Sequence, residues 1–481
     1  FSSLFIFMVG ILALTVVIVF IRDIMQTEDA IRHNYPVIGR FRYLFSTLGE
    51  FFRQYFFAMD REEMPFNRAE RDWVYKSAKG TDNTVAFGST KNLSPAGTAL
   101  FVNTTFPAPD TPHTTRPPSL LIGPHCPHPY EAKSLINISA MSYGALSKPA
   151  VQALAYGAKL AECWLNTGEG GLTPYHLESG CDLVFQIGTA KYGVRTENGN
   201  LDIALLQQLA AIPQVKMFEI KISQGAKPGK GGILPAAKVT AEIAKIRGIP
   251  AGEDSISPNR HPEISNSVEL LDFIEHVRAI SHKPTGFKLV IGDEAWLDHL
   301  FSEIAKRDIQ RAPDFITIDS CDGGTGAAPM PLLDDVGLPI RESLPMVINK
   351  LNRYHLRDRI RIIVSGKLIT PSGVAWALCA GADFVNSARG FMFALGCIQA
   401  LKCNRNTCPT GITTHDRRLQ RGLNPREKAK KIKNFVDKIH YGTALIAHSC
   451  GVAHQRELTR THCRIVQPDG KSILMSQLYN E

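Results

Sequence analysis

The stretch "MFEIKISQGAKPGKGG", residues 217–232, joins a short apolar run to a loop of glycine and lysine. Similar runs recur along the chain, and helix-like stretches lie between several of them. The eight runs are "LINISAM" near 135, "CWLNTG" near 163, "LVFQIG" near 183, "MFEIKIS" near 217, "GFKLVIG" near 286, "FITIDS" near 315, "RIIVSG" near 361 and "FVNSA" near 384. Eight strands that alternate with helices predict a (β/α)8 TIM barrel rather than an open doubly wound sheet.

Glycine-rich loops follow five of the predicted strands. The first, second, fourth, sixth and seventh strands are followed by "AMSYGALS", "NTGEGG", "KISQGAKPGKGG", "DGGTGAAP" and "SGKLITPSG". Glycine lets backbone N–H groups approach a phosphate or a flat ring, and the active site of a barrel lies at the carboxyl ends of its strands. The loops therefore predict a nucleotide cofactor at that end. The chain has no G-x-G-x-x-G or Walker A pattern, which disfavours dinucleotide and P-loop folds.

Three of these loops and a later cysteine-rich stretch also carry a family resemblance. In this order, "TGEGG", "KISQGAKPGKGG", "DGGTGAAP" and "GCIQALKCNRNTCPTG" resemble the FMN-binding synthase domain of glutamate synthase. The span from about residue 80 to 465 is similar to the stand-alone FMN-binding glutamate synthase family. The segment "RHNYPVIGRFRYL" resembles the membrane-anchored members of that family.

Three cysteines lie within the last of these motifs, residues 396–411, with the spacing C-x5-C-x4-C. They are Cys397, Cys403 and Cys408. The spacing alone is compatible with an iron–sulfur cluster, with a zinc site completed by His415, or with buried structural cysteines. The resemblance implies that the three thiolates bind a 3Fe-4S cluster. The other seven cysteines show no pairing pattern, as is typical of a reducing compartment.

The resemblance also implies the FMN-binding residues. Lys288 is expected at the N1/O2 edge of the ring, where a cation would stabilise the negative charge of reduced flavin. Without the resemblance, Lys288 would be interpreted as an ordinary lysine at the end of a strand. The full set is Met141, Ser142, Tyr143, Glu169, Gly170, Lys221, Lys288, Asp322, Gly323, Gly324, Gly366, Lys367 and Gly390.

Basic residues after the fourth strand match the family positions that bind 2-oxoglutarate. Two carboxylates need at least two fixed cations, which Lys221, Lys227 and Arg247 would supply. A solvated basic turn is the alternative reading of the same residues. The resemblance implies a substrate site of Lys221, Gln224, Lys227, Arg247, Asn266 and Gly324, with Lys221, Gln224, Lys227 and Glu169 as the catalytic set.

The implied reaction is reductive amination. An amine condenses with the ketone of 2-oxoglutarate or a related keto acid, and reduced FMN delivers a hydride from N5 to the imine. The cluster would pass electrons singly from an unknown donor, for which a ferredoxin, a quinone and a membrane complex are the candidates. We expect the amine to come from outside this chain, because the glutaminase domain of the large enzyme has no counterpart in the sequence.

Departures from the family pattern leave a second interpretation open. Lys230 stands where the family often has Glu, "SPNRH" replaces a stretch rich in proline and histidine, and Asn266 stands where Ser is usual. These changes concern the identity of the keto acid and the amine more than the cofactors. The alternative function is a membrane-tethered electron-transfer or assembly subunit without amination activity.

The N-terminal stretch 1–21, "FSSLFIFMVGILALTVVIVFI", contains no charge and no proline and is long enough to cross a bilayer. A signal peptide would have a shorter apolar stretch and a small-residue cleavage site, so a retained single-pass helix is the prediction. Five arginines follow, at positions 22, 32, 40, 42 and 53, which predicts a cytoplasmic catalytic domain. Residues 40–60 place aromatic residues on one helical face, as expected of a helix in the membrane interface or of one packed on the barrel.

Charge and domain organisation complete the prediction. Lys and Arg exceed Asp and Glu by 54 − 45 = 9, without the basic runs that nucleic-acid binding would need. The predicted segments are a transmembrane helix (1–24), a juxtamembrane amphipathic segment (25–80), an irregular connector (81–134), the barrel with its cysteine loop (135–425) and a C-terminal helical tail (426–481).

Overall fold

A computed structural model describes residues 2–109 and 116–479. Residues 110–115 of the predicted connector, residue 1 of the predicted transmembrane helix and residues 480–481 of the predicted tail lie outside this description. The chain divides into two compact units, Phe1–Ala69 and Glu70–Glu481.

The first unit is helical. Its helices are Ser2–Met25, Ala30–Asn34 and Gly39–Phe52, and the last continues as a π-helical turn, Arg53–Phe57. The first helix is long and apolar enough to cross a membrane, by length and composition. Asp23 lies near its end with a fully buried side chain, and its carboxylate accepts hydrogen bonds from Arg40 Nη2 at 2.6 Å and from Val37 N at 3.0 Å. This bidentate pair links the first helix to the third, and the aromatic residues of the third helix remain exposed.

The predicted barrel is confirmed. Eight parallel strands, which we number β1 to β8, close into one barrel in which each strand pairs with the next and β8 pairs with β1. Nearly all their residues are buried, as expected where the interior and the helices cover both faces of a sheet. The strands are β1 Ile136–Ile138, β2 Leu165–Asn166, β3 Leu183–Ile187, β4 Val215–Lys221, β5 Thr285–Val290, β6 Phe315–Asp319, β7 Arg361–Ser365 and β8 Phe384–Ser387.

Several of the helices that follow the strands start at polar caps. Ser147, Asn266, Asp293 and Thr370 each accept a backbone N–H from the first turn of the helix that they precede. The helices of this region are Lys148–Ala161, Pro174–Leu177, Ile203–Ala210, Ala241–Arg247, Ser267–Ser281, Glu294–Lys306, Met330–Asp334, Ile340–Arg353, Pro371–Ala380 and Arg389–Leu395. Single 3-10 turns lie at Ala236–Lys238 and Ile309–Arg311.

A β-hairpin covers the amino end of the barrel. Its strands, Leu120–Ile122 and Tyr130–Ala132, lie in the predicted connector, as does the short strand Ala99–Phe101. Tyr130 packs edge-on against Trp164 and belongs to the same buried cluster as Phe315 and Phe384, which begin β6 and β8. Because the hairpin fills the amino end of the barrel with apolar side chains, a polar ligand site is expected at the other opening, where the carboxyl ends of the strands lie. We call this opening the mouth.

The interior of the barrel contains a carboxylate whose two oxygens both accept hydrogen bonds. Glu219 of β4 is buried, and it accepts hydrogen bonds from Asn166 Nδ2 at 2.8 Å and Gln186 Nε2 at 2.7 Å. Thr317 Oγ1 donates to its other oxygen at 2.6 Å. These bonds tie β2, β3, β4 and β6 together across the interior, directly beneath the mouth.

The tail is helical only in its first half. The long helix Pro425–Ser449 packs on the helix Lys148–Ala161, where a Cβ at Gly157 would lie 2.6 Å from Ile432 Cβ. Beyond it, strands Cys463–Val466 and Ser472–Leu474 form an antiparallel sheet with Ala99–Phe101. The helix Arg417–Gln420 precedes the long helix. The short elements after the long helix are the 3-10 turns Gln455–Glu457 and Arg460–His462 and the helix Met475–Leu478.

Also outside the barrel, a long excursion separates β4 from β5. It contains the glycine-rich loop, a two-stranded ribbon of Ile233–Leu234 with Ser255–Ile256, and the helix Ala241–Arg247. The ribbon folds this excursion back, so that the helix packs near the loop after β1: a Cβ at Gly144 would lie 3.3 Å from Arg247 Nη2.

Candidate functional site

Two buried lysines lie side by side at the carboxyl ends of β4 and β5. Lys221 and Lys288 are register partners, so their side chains point to the same side of the sheet. Each has its own carboxylate: Lys221 Nζ lies 2.9 Å from Glu169 Oε1, and Lys288 Nζ lies 3.1 Å from Asp319 Oδ2. A buried cation is tolerated where such a partner offsets the loss of hydration. The two pairs form the charged floor of the mouth.

Two glycines make room for Glu169. A Cβ at Gly232 would lie 2.2 Å from Glu169 Oε1, and a Cβ at Gly188 would lie 2.6 Å from Glu169 Cβ. Both distances are too short for any side chain. Burial alone would raise the pKa of Glu169, but the charges of Lys221, Lys227 and Arg247 outweigh it and hold the pKa below its usual range. Glu169 is therefore a carboxylate at neutral pH.

Lys227 and Arg247 add two further buried cations. Lys227 Nζ donates to the backbone oxygen of Ala327 at 3.1 Å. Burial, followed by the charge of Lys221, lowers the pKa of Lys227 to about 8. Arg247 Nη1 donates to Ser255 Oγ at 3.0 Å, and its guanidinium lies 5.0 Å from the ring centre of Tyr192.

Neither of these two cations has a carboxylate within ion-pair distance among the described residues. Arg247 Nε is buried and has no hydrogen-bond partner in that part of the chain. The mouth is thus richer in cations than in anions, which suits a ligand with more than one negative charge.

Asp319 is a site residue that the sequence analysis missed. Its carboxylate accepts the N–H of Gly225 at 3.2 Å as well as the ammonium of Lys288, so it fixes the loop after β4 to the end of β6. Burial alone would lower the pKa of Lys288, but Asp319, with Glu219, outweighs it and raises the pKa above its usual value. One indication of this role is present in the sequence: Asp319 is the single carboxylate at the end of the apolar run "FITID".

The predicted flavin-ring residues lie on the loop after β1, against the loop after β2. A Cβ at Gly168 would lie 2.5 Å from Ser142 N, and one at Gly170 would lie 2.7 Å from Ser142 Cβ. Gly168 also has a positive φ of 65°. The close approach of these two loops explains the glycines of "TGEGG". Met141 and Ser142 remain half-exposed.

The cofactor-binding residues predicted in the loops after β6, β7 and β8 lie close to one another. Lys367 Nζ lies 2.9 Å from Asp322 Oδ2, and a Cβ at Gly324 would lie 2.9 Å from Arg389 Nε. A Cβ at Gly323 would lie 3.2 Å from Asp319 Oδ1.

Packing constrains two further glycines in these loops. A Cβ at Gly366 would lie 2.6 Å from Ser320 Cβ, and one at Gly390 would lie 2.7 Å from Ser387 Oγ. Close packing of the loops therefore requires both glycines, whatever ligand binds there.

Two predicted substrate-binding residues, Asn266 and Gln224, make no hydrogen bond, within the described part of the chain, to the two ion pairs that form the charged floor. Asn266 is exposed, and its side chain caps the helix Ser267–Ser281 by accepting the N–H of Glu269 at 2.9 Å. It lines a cavity of about 290 Å³ with Ser223 and Trp296. Gln224 is half-buried, and its backbone oxygen accepts the N–H of Lys227. A capping role accounts for Asn266 without a ligand.

The mouth fits the flavin that the family resemblance implies. A buried cation, Lys288, stands at a strand end, and the half-exposed Met141 and Ser142 border the same opening. Nothing lies within 4 Å of a Cβ built on Gly326, so the loop after β6 leaves open space. A flat ring that gathers negative charge on reduction suits such a surface.

The three cysteines of residues 396–411 share one loop. Cys408 Sγ lies 3.3 Å from Thr410 Oγ1, and hydrogen bonds from Thr410 and Thr413 outweigh burial and lower the pKa of this thiol. Burial raises the pKa of Cys397 to about 11. Hydrogen bonds to sulfur are typical around iron–sulfur clusters, and this donor set fits one.

A single metal ion fits this loop less well. Among residues 2–109 and 116–479, no three His, Cys, Asp or Glu side chains converge closely enough to hold one ion. A cluster separates its ligands further than an ion does, because irons and sulfides lie between them. His415 Nε2 lies 2.8 Å from the backbone oxygen of Gly144, so this ring nitrogen is already engaged.

Comparison with known proteins adds sequence evidence. A family model described as the conserved region in glutamate synthase matches residues 113–453. The chain is 40% identical to the glutamate synthase large subunit-like protein YerD of Bacillus subtilis, over 100% of this chain and 98% of that protein. It is 34% identical to an archaeal-type glutamate synthase (NADPH) of Dehalococcoides mccartyi, over 63% of this chain and 57% of that relative.

A solved structure of a flavocytochrome b2 variant with sulfite bound covers 88% of this chain and 85% of its own, at 15% identity and a TM-score of 0.48.

We expect Glu169→Gln to destabilise the protein by about 3–5 kcal/mol, because it removes one partner of a buried ion pair and leaves three neighbouring cations unbalanced. The double variant Glu169→Gln/Lys221→Met removes both partners and should recover part of that loss. Urea unfolding followed by tryptophan fluorescence would measure both changes. Lys221→Met alone is the control. If it lowers the free energy of unfolding by the same amount in wild type and in Glu169→Gln, the two residues are not coupled, and the ion pair described here is contradicted.

Proposed function

We propose a reaction for this chain from the premise that it belongs to the glutamate synthase family. It is an enzyme of that family's type, an oxidoreductase. The proposed reaction is the reductive amination of 2-oxoglutarate, or of a related keto acid, to the corresponding amino acid. The amine is ammonia, or another amine that this chain does not itself generate.

The surplus of buried cations at the barrel mouth is the observation that supports this proposal most strongly. Glu169 and Asp319 balance Lys221 and Lys288, whereas Lys227 and Arg247 have no carboxylate within ion-pair distance among the described residues. A dicarboxylate brings two negative charges and would balance the surplus. A protein that only relays electrons has no need of these two cations.

FMN, when bound, would supply the hydride for the reduction. Met141, Ser142 and Tyr143 would border its ring, Lys288 would balance charge at the N1 edge, and the loops after β7 and β8 would bind the phosphate. In this assignment Asp319 orients Lys288, since its carboxylate lies 3.1 Å from the ammonium. The remaining residues of that set are Glu169, Gly170, Lys221, Asp322, Gly323, Gly324, Gly366, Lys367 and Gly390.

The polar residues of the mouth would bind and orient the keto acid. Arg247 offers a planar fork to one carboxylate, and Lys227 offers a point charge to the other. Glu169 Oε1 fixes the ammonium of Lys221 at 2.9 Å, so that its other N–H bonds can point toward the reacting ketone. Gln224, Asn266 and Gly324 would complete the substrate site.

Cys397, Cys403 and Cys408 would hold a 3Fe-4S cluster, which supplies single-electron transfer to the flavin from a ferredoxin, a quinone or a membrane complex. Cys408 already lies among hydroxyl donors that favour its thiolate. This supports cluster ligation over a purely structural role for the loop.

The helix Ser2–Met25 would anchor the enzyme in a membrane, with the catalytic unit in the cytoplasm. Its side chains are exposed, apart from Asp23 and a half-buried residue, and the arginines that follow it favour a cytoplasmic location. The exposed aromatic residues of Gly39–Phe52 would lie in the lipid interface.

The reaction can be tested in a single turnover. The chain would be purified anaerobically in detergent, its flavin reduced with dithionite, and flavin reoxidation followed by absorbance. We expect reoxidation when 2-oxoglutarate and ammonia or methylamine are both present, with a glutamate-type product by mass spectrometry. Omission of either substrate is the control. Reduced flavin that persists under every combination, with FMN and iron present, would identify an electron-transfer subunit instead.

The affinity for the keto acid should depend on the charge of Lys227. Because the pKa of this group is about 8 and binding needs the ammonium form, the Kd for 2-oxoglutarate should rise up to tenfold per pH unit above about pH 8. Lys227→Arg should move that rise to higher pH, since arginine stays protonated. Flavin difference spectra without amine would measure the Kd. The exposed Lys230→Arg is the matched control, and equal profiles for wild type and Lys227→Arg would refute the assignment.

Membrane anchoring predicts that the full chain stays in the membrane pellet after an alkaline carbonate wash. Leu12→Arg and Val16→Arg each place a charge at the middle of the helix, at a cost of about 2.5–3.5 kcal/mol, so the double variant should be released. Glu28→Arg changes charge outside the helix and should remain bound. Complete release of the wild-type chain would contradict the anchor.

A further inference from the structure

Lys238 lies where three loops meet. It ends the 3-10 turn Ala236–Lys238, in the excursion that carries the substrate-loop lysines. Its side chain is buried, and its ammonium donates to the backbone oxygens of Ala145 and Cys403, each at 3.0 Å. Ala145 follows the predicted flavin-ring residues, and Cys403 is the middle cysteine of the cluster loop. One ammonium therefore connects the loops assigned to substrate, flavin and cluster.

Neighbouring contacts hold the same junction together. Asn406 Nδ2 donates to the backbone oxygen of Ala237 at 3.2 Å, and His415 Nε2 lies 2.8 Å from the backbone oxygen of Gly144. Asn406 lies in the cysteine loop and fixes it to the turn that carries Lys238. His415 follows the cysteine loop along the chain and contacts the flavin loop.

The charge of Lys238 is not balanced by any acid. Its two partners are backbone oxygens, and no carboxylate lies within ion-pair distance among the residues that the structure describes. By contrast, the buried lysines Lys221, Lys288 and Lys350 each have a carboxylate within 3.1 Å. A buried cation without an anion is costly. The thiols of Cys403 and Cys408 lie near enough to favour the charged form of Lys238.

We propose that Lys238 is a positioning residue that supplies the counter-charge of the iron–sulfur cluster and raises the cluster's reduction potential. This inference rests on the proposed function, because it requires a cluster on Cys397, Cys403 and Cys408. When one electron enters a thiolate-ligated cluster, its charge becomes more negative by one, and no bond is made or broken. A fixed cation favours the reduced form, and local charge is one of the factors that set such potentials.

The inference is tested on the anaerobically purified full chain, with the cluster titrated by dithionite and its oxidised form followed by electron paramagnetic resonance. We expect Lys238→Met to make the cluster at least tenfold harder to reduce, a fall of about 59 mV for a one-electron couple. Lys238→Arg keeps the charge and should stay near the wild-type value. Iron and sulfide per FMN are measured for every variant.

Lys283→Met is the matched control. Lys283 is also buried, and its ammonium also donates only to backbone oxygens, those of Ile212 at 3.1 Å and Val215 at 2.5 Å. It lies before β5, at the opposite end of the barrel from the cysteine loop. The control should lose stability as Lys238→Met does, without a change in potential.

Several outcomes would decide against the inference. An unchanged potential in Lys238→Met, with full iron, overturns it, and so does an equal shift in Lys283→Met. If Lys238→Met loses iron but keeps FMN, retention of iron by Lys238→Arg supports the counter-charge, and loss of iron from both Lys238 variants overturns it. Equal loss of both cofactors in Lys238→Met and Lys283→Met indicates a general folding defect and also overturns it. Absence of iron from the wild-type chain would refute the proposed cluster itself.

Discussion

The ion pair between Lys221 and Glu169 is the interaction on which the rest of the mouth depends. At 2.9 Å, with both side chains largely buried, it fixes the end of β4 to the loop after β2. Its enclosure requires glycine at 188 and 232, because any side chain there would collide with Glu169. A buried charge needs a partner of opposite charge. The space that this buried pair occupies explains why glycine stands at one position in each of two separate loops.

The barrel makes this concentration of charge possible. Apolar side chains of the connector hairpin and the strand starts fill one end, and Glu219 ties β2, β3, β4 and β6 together in the interior. The charged pairs Lys221–Glu169 and Lys288–Asp319 lie toward the carboxyl ends of the strands. The register between the adjacent parallel strands β4 and β5 brings Lys221 and Lys288 side by side. The positions of the two lysines are fixed by the rigid sheet, because both lie on strands rather than on loops.

Sequence reasoning found the barrel because each strand is a compact apolar run and glycine-rich loops follow five of the eight. All eight predicted strands are present in the predicted order. It missed Asp319 and Glu219, since one carboxylate in an apolar run gives no local sign of its partners. It also missed the strands after Ser449, which pair with Ala99–Phe101 over a sequence distance that no local pattern reveals. The roles assigned to individual site residues remain predictions.

The central claim is that this mouth binds a dicarboxylic keto acid beside a flavin. The most direct test is calorimetric titration of the oxidised, FMN-loaded protein with 2-oxoglutarate and with 2-oxobutyrate, which lacks the second carboxylate. A charged hydrogen bond contributes about 1.5–3 kcal/mol, so 2-oxoglutarate should bind at least tenfold more tightly, and Lys227→Met should remove most of the difference. Equal affinity for the two acids, or no binding of either to fully loaded protein, would contradict the account.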